Sequence, residues 1–218
     1  MPRKKSSDPV DTFKGLTKKQ DSLIQSIQSK SMTITYGSAG TGKTYVAAVL
    51  AAKAFNEGKV KKIIITRPNI PTGKSLGYFP GDLKEKMQPW VAPIMAVLTK
   101  HIKDDVELCL KRDKIQIVPF ETIRGHTFDN SFVILDEAQN TSVEEIKAFT
   151  TRIGEYSTVV ISGDTTQTDI KNTDNGLDCI IDMVLNSKAL QKHVGLVMFS
   201  PNDIVRSGLC KLWVEAFM

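Results

Sequence analysis

The chain has 218 residues, 41% of them apolar and 24% charged, which is enough for one domain with a substantial core. Its formal net charge of +5 permits an acidic partner such as nucleic acid without requiring one. No apolar run approaches the roughly 18 residues a membrane span needs, and the basic start (Arg3, Lys4, Lys5) leads into polar residues instead of a hydrophobic signal region. A soluble cytoplasmic protein with no membrane partner is expected, in the host cytoplasm if the chain is virus-encoded.

Residues 1–14 carry Lys, Ser, Asp and Pro without periodic apolar positions and read as a flexible basic tail. From Thr17 the spacing of Leu23, Ile24 and Ile27 predicts an amphipathic helix that starts at a threonine cap. Short β-rich runs then alternate with helical patterns. Strands are expected near 32–36, 62–66, 115–119, 132–136, 157–162 and 194–199, and helices near 43–56, 83–100, 142–152, 176–186 and 203–217. Several of the strands are almost continuously apolar, as they are when helices cover both faces of a parallel sheet. The alternation predicts a doubly wound α/β domain whose ligands sit beyond the carboxyl ends of the strands.

The first strand runs into Gly37-Ser38-Ala39-Gly40-Thr41-Gly42-Lys43-Thr44, a full match to GxxxxGK[ST], and an alanine-rich helix follows. Glycines let the backbone curl so that several N–H groups converge on phosphate oxygens, and the helix N-terminus adds partial positive charge. In such a loop Lys43 bridges the β- and γ-phosphates and the Thr44 hydroxyl ligates Mg²⁺. Gly73-Lys74-Ser75 repeats the end of this pattern, but Pro68 stands where its first glycine would be, so it reads as a loop.

Phe132-Val133-Ile134-Leu135-Asp136-Glu137 is an apolar strand ending in two acids. Asp136 suits the metal and Glu137 the activation of an attacking water, the mark of a hydrolase more than of a small-molecule P-loop kinase. The alternative is a pair of acids capping the next helix. The glutamate also implies an extra strand, 158–162, between the strands carrying Lys43 and Asp136. The turn after it reads Gly163-Asp164-Thr165-Thr166-Gln167. Gln167 then either faces a γ-phosphate and its attacking water or lies in a solvated polar turn.

The stretches "YGSAGTGKTYVAAVLA", "IIITRPNIPTGKSLGYFPGDLKEKMQPWVAPI", "IRGHTFDNSFVILDEAQNTSVEEIKAFTTRIG", "GDTTQTD" and "DIVRSGLC" resemble the PhoH-like family over roughly residues 15–217. That family is similar to the first RecA-like domain of superfamily 1 helicases. The resemblance implies a P-loop NTPase with a RecA-like parallel sheet over residues 15–218, binding ATP and Mg²⁺. It further implies roles for particular residues. Gly163, Asp164 and Gln167 match an element linking γ-phosphate state to nucleic-acid grip. Gln20 stands where such helicases place a glutamine that reads adenine, or else is an exposed helix residue. Arg67, in Thr66-Arg67-Pro68, matches a contact to a nucleic-acid backbone or makes a structural ion pair, and Arg124 has the same two readings. Arg206 corresponds to a C-terminal arginine able to act as an arginine finger, in cis or in trans, or to form a surface salt bridge. Those helicases place ATP between two RecA-like domains where this sequence carries one. Either identical subunits complete the site in a homo-oligomeric ring, with a hexamer as the expectation, or strand separation is absent.

Residues 67–114 read as a loop and helical insertion, first broken by Pro68, Pro71, Gly73, Gly77, Pro80 and Gly81. Lys84 and Lys86, near Tyr78, Phe79 and Trp90, are candidates to contact RNA or single-stranded DNA, whereas the aromatic residues are expected to pack this segment onto the domain. Cys109, Cys179 and Cys210 form neither a CxxC pair nor a disulfide framework, and the three histidines lack zinc-ligand spacing. The expected activity is an ATPase coupled to RNA or single-stranded DNA. The rivals are a non-motor ATP switch and a P-loop kinase.

Overall fold

The computed structural model describes residues 13–68, 83–165 and 175–216. Thr17 caps the first helix, α1 (Lys18–Ser29), its hydroxyl accepting from Gln20 N–H at 3.1 Å, and Leu23, Ile24 and Ile27 are buried on one face. Then follow β1 (Met32–Gly37), α2 (Lys43–Asn56), β2 (Lys62–Arg67), α3 (Leu83–His101), α4 (Val106–Lys111), β3 (Ile115–Pro119), β4 (Ser131–Leu135), α5 (Val143–Thr150), β5 (Thr158–Gly163), α6 (Gly176–Asn186), α7 (Lys188–His193), β6 (Val194–Phe199) and α8 (Gly208–Ala216).

All six strands are parallel, in the order β3-β2-β4-β5-β1-β6. The expected central strand is therefore in place: β5 lies between β4 and β1, with Ile161 beside both Leu135 and Ile34. Parallel strands need crossover helices, and these cover both faces. One face is packed by α1, α2, α3 and α4 around Leu23, Val46, Leu50, Ile94 and Leu98. The other is packed by α5, α6 and a 3₁₀ turn, Phe120–Gly125, around Phe128, Phe149 and Leu177. Every residue of β4 is buried, which explains its unbroken apolar run.

Two helices had no periodic signal because each is only six residues long. The sequence marks them by their caps: Asp105 accepts from Leu108 N–H at 3.0 Å to start α4, and Ser187 accepts from Leu190 N–H at 3.3 Å to start α7. The last helix begins at Gly208, not near 203, because Pro201–Asp203 form a separate 3₁₀ turn closed by a Ser200–Asp203 capping box. Within the 67–114 stretch, α3 carries Pro89 and Pro93 and buries Val91, Ile94 and Leu98 in the same core as α2.

Candidate functional site

The site lies at the carboxyl ends of β1, β2, β4 and β5. Gly42, the N-cap of α2, has φ 83, a left-handed conformation that glycine adopts readily, and a Cβ there would lie 2.6 Å from Gln20 Nε2. Gly42 offers no capping side chain, so the first-turn N–H groups of α2 remain available to an anion. Lys43 is buried beneath the loop and its Nζ donates to the carbonyls of Gly37 (2.6 Å) and Ser38 (2.8 Å). Burial pulls the Lys43 ammonium below the ordinary lysine range, while Asp164, Asp136 and Glu137 push it back up.

Asp136 follows β4 directly and is anchored by its N–H to the Thr66 carbonyl at 3.0 Å. Its Oδ1 accepts from the Thr44 hydroxyl at 2.9 Å, and Ser162 Oγ stands 3.4 Å from that hydroxyl. Desolvation raises the Asp136 carboxyl, Glu137 beside it raises it further, and the Thr44 hydrogen bond and Arg67 work in the opposite direction. No group of three or more His, Cys, Asp or Glu that could hold a metal occurs among the described residues. Mg²⁺ does not need such a cage, because it keeps waters and binds one or two protein oxygens together with phosphates. The hard oxygens of Thr44 and Asp136, already in contact, fit that requirement.

Glu137 has φ 57, an uncommon conformation for a residue with a side chain. Its Oε2 accepts from Gln139 Nε2 at 2.5 Å, and Gln139 Oε1 in turn accepts from Asp164 N–H at 3.0 Å. The buried Gln139 therefore ties the end of β4 to the end of β5. Gly163 makes this possible, since a Cβ there would lie 2.8 Å from Gln139 Oε1. Sequence reasoning missed Gln139. Its only signal was an amide two residues beyond Glu137, and nothing local says that the amide turns inward.

Lys43, Thr44, Asp136, Glu137, Ser162 and Asp164 line one cavity of about 450 Å³, together with Arg67, Trp90 and Arg206. Arg67 ends β2, and its Nη2 lies 3.6 Å from Glu137 Oε1. Its guanidinium sits 5.2 Å from the Trp90 ring centroid, and Nη1 reaches the Trp90 carbonyl at 3.4 Å. Of the two readings of Arg67, the ion pair is present, within this cavity. Trp90 packs as expected of an aromatic in this segment, and what it packs is the arginine. Arg206 lies over the phosphate loop of its own chain: a methyl group placed on Gly40 would be 3.0 Å from Arg206 Nε. The neighbouring Val205 N–H donates to the Gly40 carbonyl at 3.1 Å.

Gln20 is buried, not exposed, with Oε1 accepting from Leu16 N–H (2.7 Å) and Nε2 donating to the Thr41 carbonyl (2.9 Å). It fastens α1 to the phosphate loop. Arg124 is exposed on the 3₁₀ turn after the edge strand β3 and does not line this cavity. Gln167, Tyr78 and Phe79 lie outside the described residues, as do the side chains of Lys84 and Lys86. No helix among the described residues is long and apolar enough to cross a membrane.

A family profile described as PhoH-like protein matches residues 12–218. The protein named PhoH from Escherichia coli K12 is 37% identical over 215 residues, covering 96% of this chain and 60% of that protein. The PhoH-like protein of Bacillus subtilis is 38% identical over 200 residues, covering 91% of this chain and 61% of that protein. This chain thus spans about 60% of the length of these curated relatives. Among solved structures, the large terminase of a thermophilic bacteriophage in complex with ADP aligns with a TM-score of 0.60 at 12% identity, covering 92% of this chain and 50% of the terminase. The large terminase of bacteriophage HK97 aligns with a TM-score of 0.53 at 15% identity, covering 88% of this chain and 40% of that one. At such identities the likeness establishes the fold, a RecA-like P-loop NTPase sheet.

Proposed function

This chain belongs to the PhoH-like family, and from that premise we propose that it hydrolyses ATP to ADP and phosphate and couples the reaction to RNA or single-stranded DNA. The observation that carries the proposal is the convergence of Lys43, Thr44, Asp136 and Glu137 on one cavity at the carboxyl ends of β1 and β4. The loop N–H groups and the α2 N-terminus bind the phosphates, and Lys43 exchanges its carbonyl partners for β- and γ-phosphate oxygens. Thr44 and Asp136 would hold Mg²⁺, which would supply charge neutralisation to the phosphates. Glu137 orients the attacking water and takes its proton. Gln167 senses the γ-phosphate and passes its state to the nucleic-acid surface, where Lys84, Lys86 and Arg124 are the candidate contacts. Arg206 supports charge at the phosphate loop. Identical subunits assemble into a ring, with a hexamer as the expected size.

Phosphate release from ATP, measured with and without single-stranded RNA or DNA, tests this reading. Stimulation by a single strand is the expected result. Indifference to nucleic acid combined with ATP-dependent assembly would replace the motor with a non-motor switch, and label on a small acceptor in place of free phosphate would identify a kinase. A stable monomer in the presence of ATP and single-stranded RNA would remove the ring.

Gln139 provides a second check on the geometry. Gln139→Ala removes the tie between Glu137 and Asp164 and leaves the buried Asp164 N–H without that acceptor, a loss of about 1–3 kcal/mol in stability. Turnover is expected to fall about tenfold or more as Glu137 loses its orientation, with nucleotide affinity nearly unchanged. Steady-state kinetics with a thermal melt checks both. Equal losses in affinity and turnover would mean that Gln139 supports the whole site and not Glu137.

A further inference from the structure

Of the two readings of Arg67, a nucleic-acid backbone contact or a structural ion pair, the ion pair is present, and the side chain lines the cavity. The cause is strand order. β2 pairs with β4 in a register that sets Thr66 beside Leu135, so Arg67, the last residue of β2, stands beside Asp136, the first residue after β4. Arg67 is thereby brought to the end of the cavity where Asp136 and Glu137 stand, the end at which a γ-phosphate is attacked. Arg206 lies elsewhere in the cavity, against Gly40 of the loop.

Three features show that Arg67 is held ready without being fully used. Its guanidinium lies over the Trp90 ring and reaches the Trp90 carbonyl, so α3 holds it in place. Its approach to Glu137, 3.6 Å, is longer than the roughly 2.7–2.9 Å of a tight charge-assisted bond. Its Nε is buried and has no hydrogen-bond partner among the described residues. A half-buried guanidinium with a loose ion pair, and with an Nε satisfied by no described residue where it now lies, can turn to a further anion in the same cavity.

We propose that Arg67 is a γ-phosphate contact acting within its own chain, held in place by Trp90 and exchanged from Glu137 to the γ-phosphate when ATP binds. The inference rests on the reading of the cavity as an ATP site. A γ-phosphate carries more negative charge than one carboxylate and offers the planar fork two oxygens. Once Arg67 turns to it, Glu137 keeps its bond from Gln139 and its other oxygen faces the water. The same movement makes the arrangement selective for triphosphate over diphosphate, because ADP offers nothing at that end of the cavity to draw Arg67 from the carboxylate.

The test compares affinities for Mg²⁺-ATPγS and Mg²⁺-ADP in the unaltered chain and in Arg67→Ala and Arg67→Gln, the latter keeping more of the contact with Trp90. Both variants are expected to bind ATPγS about 10- to 100-fold more weakly, the loss typical of one charged hydrogen bond, with ADP affinity within about threefold of the original. To separate direct contact from repulsion by an unpaired Glu137, the same comparison is made in a Glu137→Gln background. There the selective loss of ATPγS affinity is expected to persist. Disappearance of the loss in that background, equal weakening of both nucleotides, or an unchanged ATPγS-to-ADP ratio with weakened single-stranded RNA binding would each overturn the assignment. An unaltered chain that binds neither nucleotide would overturn the ATP reading and this inference together.

Discussion

Glu137→Gln is expected to lower ATP turnover by about 10²- to 10⁴-fold, the range contributed by a positioned general base, while ATP still binds. The substitution keeps the length of the side chain and a carbonyl oxygen that can accept from Gln139 Nε2. It removes the basic oxygen that would take the proton of water, and it leaves Lys43 and Thr44 in place on the phosphates. The loose pair with Arg67 is also lost, so ATP affinity is expected to rise slightly because the guanidinium no longer has a competing carboxylate. A trapped nucleotide complex with little phosphate release is the signature. Normal turnover would remove Glu137 from the reaction and return it to the other reading of adjacent acids at a strand end.

Asp136→Asn should act on stability and ligand binding in opposite directions. Desolvation holds the folded Asp136 above its ordinary value of 3.8. A carboxyl with a raised folded pKa contributes favourably below the unfolded value, and this contribution is lost as pH rises through the folded value. At neutral pH its buried charge therefore destabilises the nucleotide-free chain. Asparagine accepts the Thr44 hydrogen bond without that charge, so the variant is expected to melt higher at pH 7, by about 2–4 °C for each kcal/mol gained, and to lose the advantage near pH 3. The stabilisation expected from Mg²⁺-ATP in the unaltered chain, about 2.7 kcal/mol at a hundredfold excess over Kd, should largely vanish. A variant that melts lower at neutral pH, with its response to Mg²⁺-ATP intact, would show that Asp136 is a structural acid.

This combination of higher stability and lost binding is the ordinary signature of a site whose charges are held in place by the fold. Lys43 shows the complementary effect. Its ammonium is disfavoured by burial and supported by three carboxylates, so the cavity sets cation against anions ahead of any ligand.

Much of the fold was legible because its signals are local. An apolar run bounded by glycines makes a strand, and a threonine at the start of an amphipathic pattern makes a cap, whatever lies across the sheet. The phosphate loop was legible for the same reason: its glycines, its lysine and the helix that follows are contiguous in the chain. Even the central place of β5 followed from a local feature, the glutamate after Asp136. The six-residue helices α4 and α7 escaped because one and a half turns display no period.

The sequence by itself thus determined the alternation of strands and helices, the phosphate loop at Gly37 to Thr44 and the acids at Asp136 and Glu137. Only the tertiary structure decided what surrounds them. Gln139 bridges Glu137 and Asp164, Arg67 meets Glu137 over Trp90, and Gln20 fastens α1 to Thr41. Each of these contacts joins residues on different elements, or an amide to a strand end reached only when β5 lies beside β4. Strand order, register and helix packing bring these groups together, and apart from the central place of β5 none of this has a period or spacing that can be read along the chain.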